Sequence, residues 1–169
     1  MTSSNNPKIL GIDPGRSGAL AFLKLDGEIC DIEDMPTIGK EINGHLLSRL
    51  VQALGPVQHA VVERAQTMPK QGISGAFNYG VGYGVILGVL ASLEIPVEVM
   101  ATSWKLKAKL GQDKDLSRQR ASQRWPRHAH YFEKVKDDGR AEAALMAWVW
   151  LESQPPSVRR RVIRRSEPS

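Results

Sequence analysis

Short apolar runs separated by turn signals open the chain. These runs predict β-strands at 8–12 and 18–25, and an alternating segment predicts a third strand at 28–33. Asp13-Pro14-Gly15 separates the first two strands, and Asp26-Gly27 is typical of a tight hairpin. The pattern therefore predicts a three-stranded antiparallel meander.

Helices and single strands alternate after this meander. Apolar residues at helical spacing predict a helix over 41–54, which Gly55-Pro56 ends. An α/β fold follows, with a mixed five-stranded sheet flanked by helices. The remaining predicted strands are 59–63 and 97–100, and the remaining predicted helices are 75–93, 103–110, 116–125 and 138–151.

A length of 169 residues is typical of one domain. We expect a flexible arm at 1–7, the folded domain at 8–153 and a basic, disordered tail at 154–169. The polar arm lacks a signal-peptide core, and Cys30 is the only cysteine. We therefore expect a cytoplasmic protein of bacterial or phage origin. We also expect no contact with a membrane, because no apolar run is predicted to span one.

Basic residues exceed acidic ones, with 23 Lys and Arg against 18 Asp and Glu, a net charge of +5 and a pI near 9.5. The excess is concentrated in two clusters. Solvated helix faces would explain either cluster alone, but two in one small chain favour a polyanionic partner. One cluster is Lys105, Lys107, Lys109, Lys114, Arg118, Arg120, Arg124 and Arg127, and the other is Arg159, Arg160, Arg161, Arg164 and Arg165.

Glycines recur in the predicted helix 75–93, where each disfavours the helix by roughly 1 kcal/mol relative to Ala. Gly80, Gly82, Gly84 and Gly88 therefore indicate close approach to something. Packing against the sheet and backbone contact with DNA are both consistent with them.

Acidic residues end two of the predicted apolar strands. Asp13 follows the first strand and Glu63 ends the strand 59–63. Sites in open α/β sheets lie at the carboxyl ends of strands, so both acids would face one crevice. The apolar stripe of helix 138–151, extended backwards, reaches Glu142 and then Asp138. Asp137 is expected to lie on the surface, where it could cap the helix.

Several carboxylates around one crevice favour a hard divalent cation, Mg²⁺ with Mn²⁺ as a substitute. Two such ions about 4 Å apart activate a water and stabilise a leaving oxygen in phosphodiester hydrolysis. Zinc is disfavoured because Cys30 is alone and the histidines lack ligand spacing. No Walker motif is present, so we expect no nucleotide cofactor.

With these motifs in order, the chain resembles the RuvC-like Holliday junction resolvases of the ribonuclease H-like superfamily. It is most similar to their phage and chloroplast branch. The resemblance covers about residues 8–152. Its motifs are Ile9-Leu10-Gly11-Ile12-Asp13-Pro14-Gly15 with Gly18-Ala19, Val61-Val62-Glu63, Tyr79-Gly80-Val81-Gly82-Tyr83-Gly84, Trp104-Lys105, Lys114-Asp115-Leu116-Ser117-Arg118 and Asp137-Asp138-Gly139-Arg140-Ala141-Glu142-Ala143.

The resemblance implies a ribonuclease H-like fold and a homodimer that cuts four-way DNA junctions symmetrically, in recombination and repair. It also implies two Mg²⁺ ions per active site. Asp13 would bridge them, Glu63 would hold one, and Asp138 and Glu142 would complete the site. The main bacterial enzymes carry two Asp three residues apart on this helix, whereas the second acid here is Glu, four residues on. The chloroplast branch usually has His where Asp138 stands, so Asp137 remains an alternative ligand.

The resemblance also implies contacts with DNA. Lys114 would lie near the scissile phosphate and offset charge there. Met68 is the candidate wedge that opens base pairs, and Phe77 and Tyr79 could stack on bases or simply pack. The other expected DNA contacts are Lys70, Gln71, Lys105, Lys107 and Arg118.

Three other functions share part of this pattern. A sugar-kinase or chaperone-type ATPase would need two such domains. A catalytically inactive nucleic-acid-binding module would not need all four acids. A nuclease of the same fold acting on RNA or on other branched nucleic acid would share the acids, and lack of dimerisation and of junction preference would identify it.

Overall fold

The computed structural model describes residues 6–64, 66, 72–110 and 114–155. It contains seven strands, five α-helices and two short 3-10 helices within those residues. The strands are β1 (Lys8–Ile12), β2 (Ala19–Lys24), β3 (Ile29–Asp34), β4 (Thr37–Ile38), β5 (Glu41–Ile42), β6 (Val57–Glu63) and β7 (Val97–Met100). The helices are α1 (Gly44–Leu54), α2 (Ile73–Ser92), α3 (Trp104–Lys107), α4 (Lys114–Arg124) and α5 (Asp138–Ser153), with 3-10 turns at Pro126–Phe132 and Val135–Asp137.

Five of the strands form one mixed sheet in the order β3-β2-β1-β6-β7. β1 pairs antiparallel with β2, and β2 with β3, which confirms the predicted meander. β6 runs parallel to β1 on its other side, and β7 runs parallel to β6. The predicted α/β class with a mixed five-stranded sheet is confirmed.

Helices cover both faces of this sheet because successive side chains on a strand point to opposite sides. Ile9 on β1 belongs to the core formed with α4 and α5. Its neighbour Leu10 belongs to the core formed with α1 and α2. The central strand β1 is therefore buried on both faces, and Asp13 follows directly at its carboxyl end.

Gly11 lets α5 approach β1 unusually closely. A Cβ built on Gly11 would overlap the carbonyl oxygen of Ala143 and lie 2.9 Å from the Cβ of Ala147. A residue with a Cβ would therefore not fit between β1 and α5 at this position. This contact brings Glu142, the residue before Ala143, to the end of β1.

The helix predicted from residue 41 begins later than expected. Residues 41 and 42 form β5, which pairs with β4 in a two-stranded hairpin. Asn43 then caps α1, because its side-chain oxygen accepts a hydrogen bond from the Leu46 amide at 2.9 Å. The helix predicted at 103–110 ends early at Lys107, and the backbone turns at Lys109 with a φ of 57°.

One face of α2 is exposed and apolar. Ile73, Phe77 and Val81, spaced four residues apart, are 91%, 69% and 49% exposed. Gly82 packs on Ile42, since a Cβ there would lie 3.0 Å from that side chain. A Cβ on Gly80, Gly84 or Gly88 would meet no described atom within 4 Å, so packing on the sheet does not explain these three glycines.

The expectation that no apolar run is long enough to span a membrane is wrong for α2. An 18-residue window within its 20 residues has a mean hydropathy of 1.4, so α2 is long and apolar enough to span a bilayer by length and composition alone. Length and composition alone do not place α2 in a membrane, because core helices of soluble proteins can have both. Ile86 and Leu90 of α2 are fully buried in the core against the sheet.

Candidate active site

Three of the predicted acids converge where β1 and β6 end. Asp13 follows β1 directly and Glu63 is the last residue of β6, and the two strands are parallel neighbours. Glu142 lies in the second turn of α5. Burial raises the pKa of Asp13 from 3.8 to about 7, and the charge of Glu142 and then that of Glu63 add to the effect. The three acids therefore share one electrostatic environment.

Asp13 lies against the start of α5. One carboxylate oxygen, Oδ1, accepts a hydrogen bond from the Gly15 amide at 3.3 Å. A Cβ built on Gly139 would lie 2.9 Å from the other oxygen, Oδ2, and 3.0 Å from the Ser17 carbonyl oxygen. Glycine at 139 thus permits the first turn of α5 to touch the loop that carries Asp13.

The short helix α3 supplies two side chains to the acids. Lys105 Nζ lies 2.9 Å from Glu142 Oε2 and 3.5 Å from Glu63 Oε1. Trp104 donates its indole N–H to Glu63 Oε1 at 3.0 Å. The sequence predicts Lys105 as a DNA contact and indicates no role for Trp104 at the site. The nearest signal in the sequence is the adjacent Trp104-Lys105 pair, which is one of the motifs of the resemblance.

Glu142 has a further partner that the sequence did not indicate. Ser117 on α4 is 2% exposed, and its hydroxyl donates to Glu142 Oε1 at 3.5 Å. Nothing in the pattern of α4 distinguishes Ser117 from its other polar residues. Both oxygens of Glu142 therefore have hydrogen-bond partners from α3 and α4.

The donor chemistry of this cluster fits a hard divalent cation. Asp13, Glu63 and Glu142 offer only carboxylate oxygens, the ligands that Mg²⁺ and Mn²⁺ prefer. Among the described residues, no three His, Cys, Asp or Glu side chains stand close enough together to hold a metal ion as they are placed. Lys105 supplies the positive charge among them. A metal held by Glu63 and Glu142 would compete with Lys105 for the same oxygens.

Asp137 and Asp138 lie at the start of α5. Asp137 is 2% exposed, so the expectation that it lies on the surface is wrong. Its Oδ2 accepts a hydrogen bond from the Lys134 amide at 2.8 Å, and its side chain does not cap α5. Asp138 is half-buried, and neither residue is among the charges that dominate the pKa of Asp13. The metal role of Asp138 stays a prediction.

Arg140 holds this end of α5 to the sheet. Its Nε and Nη2 bind the two carboxylate oxygens of Asp34, at the end of β3, at 2.6 and 2.9 Å. Its Nη1 also lies 3.7 Å from Asp137 Oδ1. The hydrogen bond to Asp34 lowers the pKa of that carboxyl.

The structure places the other expected DNA contacts differently from one another. Burial raises the pKa of Tyr79 to about 12, and the charges of Asp13 and Glu63 add to that rise. Tyr79 therefore lies near these two acids. Phe77 and Lys107 are exposed, and Arg118 pairs with Asp115. Lys114 begins α4. Met68, Lys70 and Gln71 lie outside the described residues.

A groove of about 570 Å³ runs beside the acids, between the loop after β1, the β4–β5 hairpin and α2. Phe77 and Tyr79 lie on one wall, and Arg16 and Lys40 contribute positive charge. Such a mixture of aromatic and basic side chains suits a nucleic-acid strand.

Solved structures share this architecture. The Thermus thermophilus RuvC protein, in complex with a Holliday junction substrate, matches with a TM-score of 0.60 at 15% identity, over 85% of this chain and 92% of its own. A second T. thermophilus RuvC structure matches at 0.57 and 16% identity, over 83% and 93%. The yeast mitochondrial Holliday junction resolvase matches at 0.52 and 15% identity, over 95% and 87%.

Comparisons of sequence alone find no matching protein-family model and no matching curated protein. The structural likeness confirms the ribonuclease H-like fold that RuvC shares. At these identities it establishes the fold alone.

Proposed function

We propose that this protein is a metal-dependent endonuclease that resolves four-way DNA junctions by paired, symmetric phosphodiester hydrolysis. The observation that carries the proposal is the convergence of Asp13, Glu63 and Glu142 from three separate elements. Desolvated carboxylates repel one another, and the single ammonium group of Lys105 offsets only part of the charge of three, so a divalent cation would stabilise the cluster further. The fold is that of RuvC, which has been solved with a Holliday junction substrate. The Asp-Gly-Arg-Ala-Glu-Ala segment supports a resemblance to the phage and chloroplast branch.

Asp13, Glu63 and Glu142 would hold Mg²⁺, with Asp138 as a further ligand and Mn²⁺ as a substitute. Two such ions would activate water and stabilise the leaving oxygen. Lys105, displaced from the acids, would stay close enough to neutralise a phosphate, and Lys114 would act beside it. Tyr79 and Phe77 would contact the strand in the groove, whose basic side chains attract its backbone.

A cleavage assay tests the proposal. Purified protein is incubated with labelled four-way, Y-shaped and linear DNA and with a matched RNA duplex, with and without Mg²⁺. We expect cuts on two opposing strands of the four-way junction, only with Mg²⁺. Equal cutting of all substrates, or preference for RNA, would instead support a nuclease of the same fold without junction specificity. Cutting in EDTA would contradict the metal centre.

Paired cutting requires two active sites, and we propose that α2 forms a homodimer interface. The stripe Ile73, Phe77 and Val81 is exposed on this helix, and the open glycines beside it allow a second helix to approach closely. A second copy of the chain offers the same apolar stripe, as two-fold symmetry requires.

Gly84→Glu should convert the dimer to a monomer, because it places a charge on the open face of α2. The monomer itself should not lose stability, since Glu is a better helix former than Gly by roughly 1 kcal/mol. Sedimentation at micromolar concentration measures the mass. Val135→Glu, at a site 80% exposed and away from α2, is the control. A monomeric unaltered protein, or one that floats with lipid vesicles, would contradict a dimer through this face.

A further inference from the structure

Three buried tryptophans donate their indole N–H groups to different partners. Trp104 bonds Glu63 at 3.0 Å, Trp125 bonds the Gly27 carbonyl at 2.8 Å, and Trp150 bonds Glu98 at 2.6 Å. A buried indole N–H needs a partner, and a backbone carbonyl serves as well as a carboxylate. Of the three, only Trp104 donates to an acid of the candidate active site.

Trp104 is held rigidly enough to orient that acid. It is 1% exposed and belongs to the core cluster that contains Val61 of β6 and Met146 of α5. Glu63 ends β6, so strand and indole are fixed in the same core. The ring also lies under the Lys105 ammonium, which is 5.6 Å from its centroid. One side chain therefore contacts both the acid and the lysine that neutralises it.

We propose that Trp104 is a positioning residue of the metal centre, an inference that rests on the proposed function. Its N–H fixes Glu63 Oε1, so the carboxylate cannot rotate freely and Oε2 is kept for the metal. Lys105 shares Oε1 at 3.5 Å and leaves when the metal binds, whereas the N–H of Trp104 stays. Groups that hydrogen-bond metal ligands in this way set both their orientation and the metal affinity.

Trp104→Phe tests this role because it removes the N–H and keeps an aromatic ring. We expect Mn²⁺ to bind about tenfold more weakly, the change typical of losing such a partner. The measurement is the electron paramagnetic resonance signal of free Mn²⁺, without DNA. Trp150→Phe is the matched control, since it removes an indole bond to a carboxylate outside the site, and its Mn²⁺ affinity should be unchanged.

Benzothienylalanine at position 104 separates the hydrogen bond from packing. This amino acid keeps the shape of tryptophan but has sulfur in place of the N–H, so it also serves if Trp104→Phe does not fold. We expect it to weaken Mn²⁺ binding about as much as Phe does. Restored affinity would show that Trp104 only packs, which overturns the inference and leaves the proposed function intact. Failure of the unaltered protein to bind Mn²⁺ would overturn both.

Discussion

Asp13→Asn is expected to slow junction cutting by more than about 100-fold, beyond the upper range for losing an outer partner of a metal ligand. The charges of Glu142 and Glu63 both act on the Asp13 carboxylate. An amide oxygen at this position is a poorer ligand for Mg²⁺ than a carboxylate oxygen. Junction affinity measured without Mg²⁺ should not fall, because the substitution removes a negative charge that would repel phosphate. Cutting rates and gel-shift affinities on one synthetic junction provide both numbers.

In the absence of metal, Asp13→Asn should also lack a pH dependence of stability that the unaltered protein shows. The folded-state pKa of Asp13 is about 7, raised from the ordinary 3.8. Between these values the folded protein keeps a proton that the unfolded chain has lost, so the free energy of unfolding decreases as pH rises from about 4 to about 7. This contribution is at most about 4 kcal/mol. Asp13→Asn removes it, and urea denaturation in EDTA across this range measures the difference.

Glu94→Gln is the control for both measurements, because Glu94 is exposed and precedes β7, at the opposite end of the parallel strands β6 and β7 from the acids. It should retain the cutting rate and the pH profile of the unaltered protein. An Asp13→Asn protein that cuts at the normal rate would refute the assignment of Asp13. An unchanged pH profile would mean that Asp13 is already ionised in the metal-free fold.

The sheet and two of the acids could be predicted because they depend on local pattern. Alternation and turn residues define the meander, and parallel neighbours bring Asp13 and Glu63 to one edge. Glu142 could be predicted too, since helical periodicity extends the apolar stripe of α5 back to it. The same periodicity predicts Asp138 on the stripe; the structure shows it half-buried in the first turn of α5, and its role as a metal ligand stays a prediction.

Other parts of the site depend on contacts between distant segments, which periodicity does not encode. Trp104 binds an acid 41 residues away in sequence, and Ser117 one 25 residues away. Lys105 looked like one member of a basic cluster, but tertiary packing turns it towards the acids. Periodicity also does not distinguish the face of α2 that packs on the sheet from the apolar face that is exposed.

Gly11→Ala is expected to destabilise the fold and disrupt the acids together. A Cβ at this position overlaps the Ala143 carbonyl oxygen, which is backbone and cannot rotate aside as a flexible side chain would. Overpacking of this kind lowers the free energy of unfolding by about 1–3 kcal/mol, and by more where backbone must move. The movement that relieves the overlap shifts α5 away from β1, and Glu142 moves with it.

Urea denaturation should show the loss of stability, and cutting assays below the denaturation midpoint should show lost activity in molecules that remain folded. Gly72→Ala is the matched control, because its φ of −64° suits alanine and a Cβ there would meet no described atom within 4 Å. That change should lower the free energy of unfolding by no more than about 1 kcal/mol, because alanine is a poorer N-cap residue than glycine, and cutting should be retained. Full activity in folded Gly11→Ala would mean that the spacing between β1 and α5 does not set the position of Glu142. The acids would then have to be held in place by α3 and α4 alone.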